Sequence, residues 1–183
     1  MRVNRKKFNF DIAIHLAIPL APPKELIANL QKEVHKLCCI SHLFIQTHGE
    51  DGAMFIPGKD NTLLNYFSSV EHARQFGLEL RTMLCRETKI VFSVCELGRN
   101  IKTLQALARG ADSYILANSQ EFRSSDPKKY SDRYAIIDNK SWIWVDRSGG
   151  IHHKQNFSTI PLKTAYGQVN VITLKEIWNF ATD

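Results

Sequence analysis

Apolar residues along the chain fall into blocks of two different periods, and the blocks alternate. Phe8, Phe10, Ile12, Ile14, Leu16 and Ile18 recur at every second position, the spacing of a half-buried strand, until the prolines between 19 and 23 end the run. From Lys24 to Leu37 the spacing changes. Leu26, Ile27, Leu30, Val34 and Leu37 make the stripe of an amphipathic helix that opens just after a proline. His42 to Thr47 and Ala53 to Pro57 are short apolar segments flanking His48-Gly49-Glu50-Asp51-Gly52, and glycines with an acid at a tight connection predict a β-hairpin. Thr62 to Cys85 has apolar positions suited to one long helix or two short ones. Lys89 to Leu97 is nearly continuous in apolar residues, which suits the middle of a sheet. Asn100 to Arg109 predicts a short helix closed by Gly110, and Ser113 to Ala117 another strand. Tyr134 to Ile137, Trp142 to Val145 and Val169 to Thr173 predict further strands, with Ser148-Gly149-Gly150 in a connecting loop.

Strand and helix blocks in this order, β-α-β-β-α-β and then α-β, predict the α/β (α+β) class: a ferredoxin-like or palm core, extended by αβ and a carboxyl-terminal β-hairpin, with an antiparallel sheet backed by helices. A chain of 183 residues, 44% hydrophobic and 23% charged, predicts a single domain over 1–183 with one core. Cys38, Cys39, Cys85 and Cys95 lie in strand or helix blocks without CxxC or zinc spacing, and predict small buried thiols in a reducing, cytoplasmic compartment. Met1 to Phe10 carries Arg2, Arg5, Lys6 and Lys7, and Asp11, His15 and prolines interrupt the following apolar run, so export is not expected. No run reaches the length of a membrane span. The net charge of +6 points to an anionic partner, whether nucleic acid, nucleotide or membrane surface; a solvated basic face is the equally weighted alternative.

The predicted hairpin tip is the place where these elements meet chemistry. A palm-type phosphoryl-transfer enzyme puts one carboxylate at such a tip and another on the neighbouring strand, and together they hold divalent ions against a triphosphate. Asp51 occupies the tip and Asp11 the first strand. Phe10-Asp11-Ile12, Pro23-Lys24-Glu25-Leu26 and Gly49-Glu50-Asp51-Gly52-Ala53-Met54, with Ile160-Pro161-Leu162-Lys163-Thr164-Ala165-Tyr166-Gly167-Gln168-Val169-Asn170-Val171 near the end, resemble the motifs of class III nucleotidyl (adenylate/guanylate) cyclase catalytic domains. The resemblance runs from about Phe8 to Leu174 through short, degenerate motifs. It implies that Asp11, Asp51 and the Ile12 carbonyl bind Mg²⁺ or Mn²⁺, that Lys163 reaches the triphosphate, and that the site forms in a homodimer. The implied reaction converts a nucleoside triphosphate to its 3′,5′-cyclic monophosphate and pyrophosphate. More narrowly, the chain is similar to the small bacterial pyrimidine cyclases of antiphage signalling, which implies CTP or UTP as substrate.

The chain departs from the family where the family places an Asn and, four residues later, an Arg on a helix: Lys102 and Ala106 stand there. Arg99 or Arg109 would have to substitute for that arginine, with a solvated helix-end charge as the alternative for each. Thr47 falls near the purine-selecting lysine. Asp51 is equally a turn-forming residue in Asp-Gly, and Asp11 equally an edge-strand charge. Glu96, at the end of the central strand, either approaches the metal site or meets solvent. Trp142 and Trp144 share one strand face, where they either stack on a base or pack against a helix or a partner subunit. His152 and His153 follow a glycine pair, as in a phosphate-contacting or a flexible surface loop. The second reading for the whole chain is a catalytically inactive palm-fold domain that binds nucleotide, RNA or a protein partner.

Overall fold

A computed structural model describes residues 23–34, 39–57, 63–65, 67, 69–119, 135–137, 142–154, 157–164 and 167–181. The expected strand over Phe8 to Ile18, with Asp11 and Ile12, lies outside the described residues. Helix α1 (Pro23–Val34) leads to β1 (Ile40–Gln46), β2 (His48–Glu50), β3 (Ala53–Pro57) and β4 (Leu63–Asn65). Helix α2 (Val70–Arg81), β5 (Leu84–Ser93), α3 (Ile101–Ala111) and β6 (Tyr114–Asn118) follow. The rest is β7 (Ala135–Ile137), β8 (Trp142–Val145), β9 (Ile151–Lys154), β10 (Ile160–Thr164), β11 (Gly167–Thr173) and α4 (Leu174–Ile177).

The chain has the α/β class that its patterning predicts. A mixed five-stranded sheet, in the order β1-β5-β6-β8-β9, carries the core and is compatible with a palm-like arrangement. It is not the antiparallel sheet expected from the order of elements. β1, β5 and β6 are parallel neighbours, and only β8 and β9 depart from that pattern through antiparallel pairing. Each parallel step needs a crossover, and right-handed crossovers proceeding in one direction across a sheet put their helices on the same face. The α2 and α3 helices accordingly pack against each other. Gly110, expected to close α3, lies inside it, because a side chain there would collide with the Arg74 carbonyl of α2; Asp112, at φ 51°, is the residue that ends the helix. Asn100 caps the other end, its side chain accepting from the Thr103 N–H at 3.2 Å.

Alternation along the strands divides the core in two. Ile90, Phe92 and Val94 at β5 and Ile115 and Ala117 of β6 point to the face covered by α1, α2 and α3. Val91 and Leu116 point to the other face, where they meet Trp142, Phe157, Ile172, Ile177 and Phe180. Burial on both faces is why β5 reads as a continuous apolar run. Trp142 and Trp144 do share a face, and there they pack against the carboxyl-terminal layer.

Two smaller sheets complete the fold, β10-β11-β7 and β2-β3-β4. The segment expected to be wholly helical before Cys85 begins with β4, which pairs with β3; α2 starts only at Ser69, whose hydroxyl accepts the His72 N–H at 3.1 Å. The reduced state expected of the cysteines is corrected for two of them. Cys39 and Cys85 form a disulfide with their Cα atoms 5.1 Å apart, because parallel pairing of Ile40 with Leu84 brings their neighbours within bonding reach. Just beyond it, the Thr88 hydroxyl lies 2.8 Å from the carbonyls of both Ile40 and Cys85, clasping the irregular start of β5. Cys95 is half-buried and stands outside that disulfide. The cysteines therefore give no ground for a reducing compartment, since disulfides are rare there. None of the helices described is long and apolar enough to cross a membrane.

Candidate active site

The loop from β5 into α3 lies at the carboxyl ends of the parallel strands, the side on which open α/β sheets hold their ligands. Val94 is fully buried as the strand ends, and the chain then turns sharply at Glu96, which adopts φ 55°. Residues Leu97–Arg99 make one 3-10 turn before the Asn100 cap. This sequence of strand, turn and helix start puts Glu96 and Arg99 side by side.

The β2–β3 hairpin comes to the same place from an earlier part of the chain. Glu50 pairs with Ala53, leaving Asp51 and Gly52 as a two-residue turn with φ of 51° and 79°, both positive as a type I′ connection requires. Small residues let the hairpin approach. A side chain at Gly49 would collide with the Cys95 carbonyl and with Val94, and one at Gly52 would lie 2.8 Å from Cβ of Asn100. Thr47, near which the resemblance places a purine-selecting lysine, donates its hydroxyl to the Phe55 carbonyl at 2.6 Å.

Glu96 joins the two segments. One carboxylate oxygen accepts the Asp51 backbone N–H at 2.7 Å, and the other pairs with Nη2 of Arg99 at 2.7 Å. Glu96 is 7% exposed, so it is an internal brace between residues 45 apart in sequence, neither a solvated strand-end acid nor a free metal ligand. Arg99 extends past it. Its Nη1 lies 3.8 Å from Oδ1 of Asp51, and its Nε donates to the Ser119 carbonyl at 3.3 Å, which ties the turn to the end of β6. The Asp51 side chain remains 91% exposed. Lys102 is exposed in the first turn of α3, three residues after Arg99. Arg109, the other arginine considered for the family's missing one, is at the far end of α3 and donates to the Ser148 carbonyl at 2.8 Å.

The structure thus brings Asp51, Glu96 and Arg99 together. Lys163 is on β10, opposite Gln168 of β11 in the small carboxyl-terminal sheet. Asp11 and Ile12, the other metal ligands that the resemblance implies, lie outside the described residues. Mg²⁺ and Mn²⁺ take several oxygen ligands, carboxylates among them. Of the two carboxylates beside Arg99, Asp51 is the one open to solvent, because both oxygens of Glu96 are in use. No group of three His, Cys, Asp or Glu able to hold a metal occurs among the described residues. Of the ligand set that the resemblance implies, the described residues supply Asp51 alone. The sequence offers Glu96 as an acid that approaches the metal site or meets solvent, and its role as a brace is neither; the Glu-x-x-Arg spacing from Glu96 to Arg99 is the available signal for an ion pair. The chain matches no protein-family model, no curated protein and no solved structure.

Proposed function

We propose that the protein is a nucleotidyl cyclase that converts a nucleoside triphosphate to its 3′,5′-cyclic monophosphate and pyrophosphate at the Asp51 hairpin. The observation that carries this reading is an exposed carboxylate held at the carboxyl end of the sheet beside a braced arginine. Its backbone is fixed by the Glu96 bond, and the Arg99 guanidinium lies 3.8 Å away. Asp51 in this scheme binds the divalent cation that accompanies a triphosphate, and Arg99 and Lys102 face the phosphate charge, which the start of α3 also favours. Lys163 contributes a further positive charge to the phosphates. A bound Mg²⁺ or Mn²⁺ supplies charge neutralisation for the leaving pyrophosphate. CTP and UTP come first as substrates: the purine-selecting lysine of such cyclases would fall near Thr47, and the chain resembles antiphage pyrimidine cyclases. A homodimer in the cytoplasm, serving antiviral defence, is the corresponding setting.

Incubation of the purified protein with each of the four ribonucleoside triphosphates and Mn²⁺, followed by mass spectrometry, tests the reading. A cyclic nucleotide made by the wild type and absent with Asp51→Ala is the expected outcome. The second reading, nucleotide binding without turnover, is favoured by the full engagement of Glu96 and by the Glu96, Asp51 and Ser119 contacts of Arg99. Nucleotide-dependent shifts without any product would establish it.

A further inference from the structure

The opposite end of the sheet holds a second concave surface that the Asp51 site does not use. Tyr114 begins β6 there, about 17 Å along the strand from Ser119 at about 3.3 Å per residue. With Trp144, Asp146, Arg147 and His152 of the β8–β9 hairpin and Asp112 after α3, it lines an open cavity of about 540 Å³, within the size range of small-ligand sites.

Its floor is a preformed aromatic ledge. Trp144 and His152 face each other across the β8–β9 pair, with ring centroids 3.8 Å apart and planes 9° from parallel. His152 Nε2 lies 2.9 Å from Oδ2 of Asp146, which fixes the ring about its stacking axis. Asp146 in turn accepts from the Ser148 N–H, the Ser148 hydroxyl and the Gly150 N–H at 2.8, 2.6 and 2.9 Å. Two side chains of α3 grip the same turn: Gln105 donates to the Gly149 carbonyl and Arg109 to the Ser148 carbonyl. What the pattern of glycines leaves open between a phosphate-contacting and a flexible loop is a tightly bonded turn. His152 has one ring face against Trp144 and a side chain still 44% exposed, so a second planar ring has room to extend the stack.

Arg147 is the cation of the lining that can meet an anionic group. Both carboxylates at the cavity are engaged, Asp146 by the donors above and Asp112 by Arg81 at 3.4 Å and Arg147 at 3.8 Å. Asp112 and Asp146 are the acids of the lining and Arg147 is its arginine; Arg81, outside the lining, also pairs with Asp112. Arg147 is held by that one long ion pair and by its position 6.0 Å over the Tyr114 ring, so most of its five donors remain for an anion.

We propose that this cavity binds a planar aromatic anion of the nucleoside monophosphate class, its base stacked on His152 and its phosphate on Arg147. The site is separate from the Asp51 hairpin and stands whether or not that hairpin turns over a triphosphate. The test is a titration of the ¹⁵N-labelled protein with CMP, UMP, AMP and GMP, beside inorganic phosphate and uridine. Saturable shifts of the Trp144 indole N–H and the Gly149 and Gly150 amides are expected with at least one nucleotide. Phosphate and the uncharged nucleoside should bind at least ten-fold more weakly. His152→Ala and Arg147→Gln should each weaken the nucleotide by ten-fold or more, and Asp51→Ala should leave its affinity unchanged. Absence of saturable shifts at this turn, shifts confined to Asp51 and Arg99, or equal affinity for phosphate alone would overturn the proposal. His152 is exposed and Arg147 half-buried, and the amide spectra of both variants report directly whether the fold is retained.

Discussion

The two ends of the five-stranded sheet are built on different principles. At the amino ends of the parallel strands, covalent and hydrogen-bonded ties accumulate: the Cys39–Cys85 disulfide, the Thr88 clasp and the Asp146 turn. Lys89 adds a bond to the Trp178 carbonyl at 2.8 Å. At the carboxyl ends a single buried carboxylate, Glu96, holds a hairpin tip whose own acid faces solvent. At the amino end restraints of different kinds, one of them covalent, hold the strands. At the other end Glu96 and Arg99 together hold the turn and the hairpin tip, and the charge of Asp51 is left available for chemistry.

That contrast can be broken most severely at the amino end. Cys39→Ser with Cys85→Ser should cost about 2–4 kcal/mol, the usual effect of losing a bond that closes a loop of this kind, measured as a lower urea midpoint. A dithiol reductant should lower the wild type to the same midpoint and leave the double variant unchanged. At the carboxyl end, Glu96→Ala should cost about 2 kcal/mol, because hydrogen bonds to charged groups contribute about 1.5–3 kcal/mol and Arg99 is half exposed. Glu96→Gln, which keeps an acceptor for the Asp51 N–H, should recover part of that loss.

Smaller effects sharpen the comparison through pH. The Asp146 carboxyl is held well below its ordinary value by the Ser148 hydroxyl first, then by His152 and the backbone N–H groups of Gly150 and Ser148. A depressed carboxyl stabilises the folded state above its unfolded pKa. That contribution should therefore be complete at neutral pH and fade as pH falls below about 4. Asp146→Asn should cost about 1 kcal/mol at pH 7 and flatten this part of the acid limb. His42 is lowered from 6.5 by burial and then by the Lys89 charge. The unfolded chain takes up its proton first, so stability should decline as pH drops below 6.5 and level off once the folded-state imidazole is also protonated. His42→Phe should remove that slope. The smallest effect on stability belongs to Asp51→Asn, within about 0.5 kcal/mol because the side chain is 91% exposed, although the proposed cyclase activity should be lost.

Particular residues explain which elements were legible in the sequence. The β5 run was readable because burial on both faces leaves an uninterrupted apolar string, and α3 because Asn100 caps it and its apolar stripe is regular. Asp51-Gly52 announced its turn, since few other pairs accept two positive φ values. The Ile151–Lys154 strand was invisible: Ile-His-His-Lys has no alternation, and the strand exists through pairing with Trp142–Val145. The Leu63–Asn65 strand was absorbed into an apparent helix because its apolar residues continue the spacing of α2. At the candidate site, Asp51 and Arg99 were visible as residue types, but their proximity was not.

Local chemistry, then, determined the kinds of element in this chain, its α/β class and the turn that exposes Asp51, because period, caps and positive-φ residues act over a few neighbours. Only the tertiary structure decided that the central strands run parallel, that Cys39 meets Cys85, that Gly110 serves a helix contact, and that Glu96 braces a hairpin 45 residues away. Those outcomes depend on which distant segments become neighbours once both faces of the sheet are buried, and no local pattern records that choice.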